Sequence, residues 1–253
     1  MGHTMNINDF INTNAASKYL GSKTSTQSAS SLKSTAPAGL EKAEKRIQTQ
    51  VDTTSTQLSS FGKLKSSVSG AQIAARTLGS LTSTTSSAAE KTAATNFVSA
   101  FNSAIQTAKA TAAVPGETSA ASNSAARVSK DLLRTVGADA ATMDALKKVG
   151  FSVNTDGNLV LDAKKFDAAQ KANPTGVRAT LTKLGQQVDK TATKELAADG
   201  NVGTSLTSLN QRATLLKNQQ SALTALGQTR TTASQNSSIT GAFNFGLSAY
   251  KSS

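Results

Sequence analysis

The chain has 253 residues and a mass of 25.9 kDa; over two-fifths of its positions are Ser, Thr or Ala and only 4% are aromatic, so large apolar side chains are too few for a thick globular core and thin helical packing is favoured. It has no Cys and a single His, His3, which excludes disulfide frameworks, thiolate catalysis, cysteine zinc sites, histidine triads and multi-histidine metal sites. The formal net charge of +12 invites an anionic partner, but the excess is spread thinly, and its densest pairs (Lys45–Arg46, Lys147–Lys148, Lys164–Lys165) fit solvated helix surfaces without the aromatic platforms of a nucleic-acid binder.

No run of about 18 apolar residues is present, so no membrane span is expected. The start of the chain lacks the basic-then-apolar pattern of a secretory signal, and any export would use a route that reads a polar, unstructured N-terminus. Residues 1–39 are polar and read as a disordered leader for export and assembly, with one short amphipathic turn at Ile7, Phe10 and Ile11 as a docking element.

Residues 40–78 carry the clearest helical pattern. Leu40, Ile47, Val51, Thr54, Leu58, Phe61, Leu64, Val68, Ala71, Ala75 and Leu78 recur at four- and three-residue steps, with one slip at Phe61–Leu64. Such a helix is about 55–60 Å long and, rich in Ser and Thr, is not stable alone in water, so the stripe needs a partner. Residues 79–95 read as a linker. Helices follow over 96–113 (Phe97, Phe101, Ile105, Ala108), around Arg127 to Val136 (Val128, Leu132, Leu133) and over Thr142 to Val149.

Phe151 to Leu161 is the one strong strand signal. Phe151 and Val153, then Leu159 and Leu161, alternate about Asp156-Gly157, which supplies the turn chemistry of a tight hairpin. Asp162 caps a helix carrying Phe166 and Ala169 that ends before Asn173-Pro174. The next helix, Val177 to about Ala198, shows Leu181, Leu184 and Val188 on one face and breaks at Asp199-Gly200-Asn201. Val202, Leu206, Leu209, Ala213, Leu216, Gln220 and Leu223 then repeat the alternation of the first long helix, so the two ends of the chain are expected to pair antiparallel. The expected fold is mainly α: an elongated antiparallel helical bundle or coiled coil over 40–226 with one small β-hairpin at 151–161, disordered termini, and a flexible assembly segment at 227–253.

Three segments resemble the bacterial flagellar filament cap protein, the hook-associated protein 2 family. Leu40 to Leu78 is similar to the family's N-terminal helix, with Ser59, Gly62, Leu64 and Ser66 on its Ser-x-x-Gly-x-Leu-x-Ser pattern. Asn96 to Ile105, NFVSAFNSAI, resembles the Phe-Val-x-Ala-Tyr-Asn segment, with Phe101 where Tyr is usual. Val149 to Leu181 resembles the signature Gly-Ile-x-x-x-x-Asp-Gly-x-Leu-x-Leu-Asp followed by a helix and Asn-Pro, and is the most specific of the three. The family's large β-rich insertion has no counterpart, so the chain reads as a short form of the cap.

The resemblance implies an axial structural protein of the flagellum, outside the cell, that is exported unfolded and assembles as a homo-oligomeric ring at the growing tip. Its implied partners are flagellin or other hook-associated proteins and an export chaperone. No cofactor is expected, and no catalytic constellation is found: Asp162 and Asp167 do not share a helix face, and Gly200-Asn201-Val202-Gly203 lacks the Lys-Ser/Thr of a phosphate loop. The residues expected to matter are therefore packing residues: Ile47, Val51, Leu58, Phe61, Leu64, Val68, Val202, Leu206, Leu209, Leu216 and Leu223, with Asp156 and Gly157 at the hairpin turn. The alternatives are a secreted type III coiled-coil protein outside the flagellum and a basic helical nucleic-acid-binding protein, with nucleic acid the disfavoured partner.

Overall fold

A computed structural model describes residues 38–114, 119–137 and 140–251. The leader and its Ile7, Phe10 and Ile11 turn lie outside the described residues, apart from Ala38 and Gly39, which open the first helix. The elements in chain order are α1 (Ala38–Gly79), α2 (Ser87–Ala112), α3 (Ser119–Val136), α4 (Ala140–Lys148), β1 (Phe151–Val153), β2 (Leu159–Leu161), α5 (Ala163–Ala172), α6 (Pro174–Leu196) and α7 (Asn201–Lys251). The fold is mainly α with one small antiparallel hairpin, as the periodicity predicts. Among the described residues the chain divides into two units, one of residues 56–210 and one of residues 38–55 with 211–251.

The first unit holds a continuous apolar core. It is built from α1 (Phe61, Leu64, Val68), α2 (Phe97, Phe101, Ile105), α3 (Val128, Leu132), the hairpin (Phe151, Leu159), α5 (Phe166), α6 (Leu181, Leu184, Val188) and α7 (Val202, Leu206, Leu209). Many of the remaining core positions are Ala, so helices approach closely. At one crossing Gly185 of α6 faces α1, where an added Cβ would lie 2.4 Å from the Ala75 carbonyl oxygen and 2.5 Å from the Gly79 nitrogen.

In the second unit, α1 and α7 run antiparallel. Gln220 Nε2 donates to Gln48 Oε1 at 3.0 Å, and farther along Leu40 Cδ2 lies 3.8 Å from where a Gly227 Cβ would sit. Of the segment 227–253 expected to be flexible, residues 227–251 belong instead to α7, whose helical backbone continues to Lys251.

Several boundaries differ from the sequence reading. The linker is shorter than 79–95, because α2 begins at Ser87, where Ser86 caps it by accepting from Ala89 N at 3.2 Å. α3 begins at Ser119 rather than near Arg127, because its first turns pack through the small residues Ala121 and Ala125. On α1 the slip moves from Phe61–Leu64 to Thr54–Gln57. The buried row is Thr54, Gln57, Phe61, Leu64, Val68, Ala71, Ala75 and Leu78, an unbroken three–four alternation in which Gln57 takes the inward position and Leu58 packs half-buried beside it.

Candidate functional site

The hairpin is the meeting point of two of the family-like segments, Val149 to Leu181 and Asn96 to Ile105. Its register pairs Phe151 with Leu161, Ser152 with Val160 and Val153 with Leu159, placing Phe151 and Leu159 in the core and Val160 outward. Gly150 precedes it at φ +90°, a conformation that favours Gly, and a Cβ there would lie 2.8 Å from the Asp162 carbonyl oxygen. The chain closes on itself at this point, because Asp162 N donates to Gly150 O at 2.8 Å. Asp162 then caps α5, its Oδ1 accepting from Lys164 N and Lys165 N at 3.0 and 3.1 Å. The family-like Gly and terminal Asp of this segment are thus the two ends of one closed loop.

The turn is wider than the tight Asp-Gly turn expected. Gly157 N donates to Asn154 O at 3.0 Å and Asn154 N to Asn158 O at 2.9 Å, so residues 155–157 form a three-residue loop in which Gly157 takes φ +79°. The side chain that organises the loop is Asn154, whose Oδ1 accepts from Asp156 N (3.1 Å) and Asn158 N (2.8 Å). Asp156 contributes its backbone: its carbonyl oxygen accepts from Lys109 Nζ of α2 at 2.7 Å.

Asn102 of α2 joins the second motif to the first. Its Oδ1 accepts from Leu159 N and its Nδ2 donates to Leu159 O, both at 2.8 Å. In an antiparallel pair, alternate residues point both backbone groups away from the partner strand, and those of Leu159 face α2. The Asn102 carboxamide therefore stands in for a third strand and closes the edge of β2. Phe97 and Phe101, one turn apart with ring centroids 5.7 Å apart, lie in the core on the same helix.

Polar contacts fix the helices around this junction. Glu90, 1% exposed, accepts from Arg178 Nε at 2.6 Å and Gln170 Nε2 at 2.9 Å, tying the start of α2 to α5 and α6. Glu195, also 1% exposed, accepts from Asn201 Nδ2 at 2.8 Å across the α6–α7 break. Burial holds its carboxyl pKa above the ordinary value, and the neighbouring Asp131 adds to the rise. Among the described residues no group of three or more His, Asp or Glu is placed to hold a metal, and no helix is long and apolar enough to cross a membrane.

The structure places the expected packing residues as follows. Phe61, Leu64, Val68, Val202, Leu206 and Leu209 join the core of the first unit, with Leu58 at its flank. In the second unit Leu216 is buried, while Ile47, Val51 and Leu223 are half-buried. Sequence reasoning passed over Gln57, Glu90, Asn102, Arg178 and Glu195. Only Asn102 carried a signal, as the last residue of the Phe-Val-x-Ala-Phe-Asn segment.

A family model described as flagellar hook-associated protein 2 C-terminus matches residues 71–240, a span holding α2 to α6, the hairpin and most of α7. The chain belongs to the flagellar hook-associated protein 2 family. No curated protein and no solved structure matches it. In this hook-associated protein 2 chain, the Asn102–Leu159 contact and the Gly150–Asp162 closure both lie inside the matched span.

Proposed function

We propose that this chain is an exported structural subunit that sits as a ring of copies at the tip of the flagellar filament and promotes the addition of flagellin. The family match over residues 71–240 carries the reading. Two physical features support it. The core is thin and partly polar, with Thr54, Gln57, Thr111, Ser129, Thr142, Gln170 and Ser205 buried beside many Ala. Small and polar interior groups yield less transfer free energy than large apolar ones, so the bundle is readily unfolded for passage through a narrow export channel. In the second unit, Leu215 and Leu226 are 57% and 54% exposed on one face of α7, three turns apart, an apolar line that neighbouring copies would cover.

The proposal includes export without a cleaved signal, escort by an export chaperone, and contact with flagellin or another hook-associated protein. The chain's part is geometric: it holds a surface against which the next subunit folds, and no covalent step is assigned to it. Deleting the gene and measuring flagellin in the culture medium tests the reading. Unpolymerised flagellin should accumulate and filaments shorten, with both reversed by the wild-type gene. Normal filaments and no released flagellin in the deletion strain would overturn it.

A further inference from the structure

We propose that the groove between α3 and α6 docks an acidic helical segment of another protein. This goes beyond tip assembly and does not depend on it. The two helices lie side by side and antiparallel: Thr135 Oγ1 and Thr191 Oγ1 are 2.7 Å apart, Asp131 adjoins Glu195, and beyond the end of α3 Lys183 Nζ reaches Thr142 at 3.4 Å. Ala125, Val128 and Leu132 face the core from α3, and Leu181, Leu184 and Val188 from α6. Arg127, Lys130 and Arg134 form the exposed row of α3, and Lys183, Lys190 and Lys194 that of α6. At about 100° per residue, both rows fall on the same solvent side of the Thr135–Thr191 seam, about 60–140° around their helices from it, and flank one groove.

Most of these cations make no close ion pair. Arg76, Lys91 and Arg178 are held by carboxylates at 2.6–2.9 Å, whereas Arg127, Lys130, Lys183, Lys190 and Lys194 make no ion pair among the described residues, and the Arg134–Asp131 contact is 3.5 Å long. Of the three carboxylates on the two helices only Asp131 meets the rim, where it contacts Arg134 at 3.5 Å. Asp189 is engaged by Arg76, and Glu195 is buried under Asn201.

The spacing selects the occupant. With Asp131 opposite Glu195 and Thr135 opposite Thr191, Arg127, Lys130 and Arg134 climb one wall in steps of about 4.5 and 6 Å and Lys194 and Lys190 climb the other about 6 Å apart, together over about 14 Å. A helix bearing carboxylates at every third or fourth residue presents charge at about the same interval, and a rod fits between two parallel ridges. The same face of a second copy is not the occupant, because the two cationic rims would repel one another. The exposed rows contain no aromatic side chain on which bases could stack.

Fluorescence anisotropy with the full chain tests the proposal, using a labelled helical peptide of about 21 residues with Glu on every third or fourth position, a scrambled peptide of the same composition, and a labelled DNA duplex. The periodic peptide should bind at least about tenfold tighter than the scrambled one, and Arg134→Glu with Lys190→Glu should weaken it at least about tenfold. Lys45→Glu with Arg46→Glu, outside the groove, should change it less than about twofold. Circular dichroism should show all variants folded. Absence of binding, equal binding of both peptides, or equal loss in the Lys45/Arg46 control would overturn the proposal. A tighter, groove-dependent affinity for the duplex would also overturn it and assign the face to nucleic acid.

Discussion

Replacing Asn102 with Ala removes both hydrogen bonds at the edge of β2. Leu159 is 1% exposed, and its N–H and C=O each meet the carboxamide at 2.8 Å while β1 occupies the opposite edge. Each buried backbone group left without a partner costs about 1–3 kcal/mol, so the pair costs about 2–6 kcal/mol. Ala is the better helix former, which returns about 0.5 kcal/mol to α2. The expected net loss is therefore about 2–5 kcal/mol, a large share of the roughly 5–15 kcal/mol that holds a typical domain folded. Equilibrium urea unfolding measures it, with Ser103→Ala, an exposed neighbour on the same helix, as the control expected to stay within about 0.5 kcal/mol. Hydrogen exchange at the Leu159 amide should accelerate in the Ala variant. A loss below about 0.5 kcal/mol with unchanged Leu159 exchange would refute the assignment of Asn102 as a surrogate strand.

Gly185→Ala should force α1 and α6 apart, since its Cβ would meet backbone at 2.4 and 2.5 Å; a loss of about 1–3 kcal/mol or more in urea unfolding is expected, and a neutral result would contradict the close crossing. Gly157→Val, at φ +79°, should cost about 1–3 kcal/mol and lower the melting temperature, whereas an unchanged melting temperature would remove the turn assignment. Glu195 has a carboxyl pKa raised in the folded state, so its protonated form contributes stability at low pH that is lost as pH rises through the folded value. Glu195→Gln, which mimics that form, should match the wild type near about pH 4 and gain on it toward about pH 8; a melting-temperature difference that does not change with pH would contradict this.

What was legible in the sequence depended on how local its cause is. The hairpin could be read because alternation and a Gly at a turn are local demands, yet the loop came out one residue wider because Asn154 supplies the organising oxygen. The α1 stripe is visible in the sequence, but its pattern points to Leu58 where the structure buries Gln57: hydrophobicity marks a flank as strongly as a seam. The start of α2 looked like a linker because Ser, Thr and Ala dominate it. Its fixing contact, Glu90 with Gln170 and Arg178, joins residues 80 and 88 positions apart, which no local pattern announces. Glu195 was hidden for the same reason, its burial arising from the packing of α3, α6 and α7. Asn102 was legible only through the family segment that contains it, since an Asn in mid-helix gives no sign of the strand edge it closes.

The most direct test of the central claim is immunogold labelling of intact flagellated cells with antibody raised against this chain. The account predicts gold at the distal tips of filaments, with labelling lost in the deletion strain. Label along the cell body, or confined to the hook junction with bare tips, would contradict it.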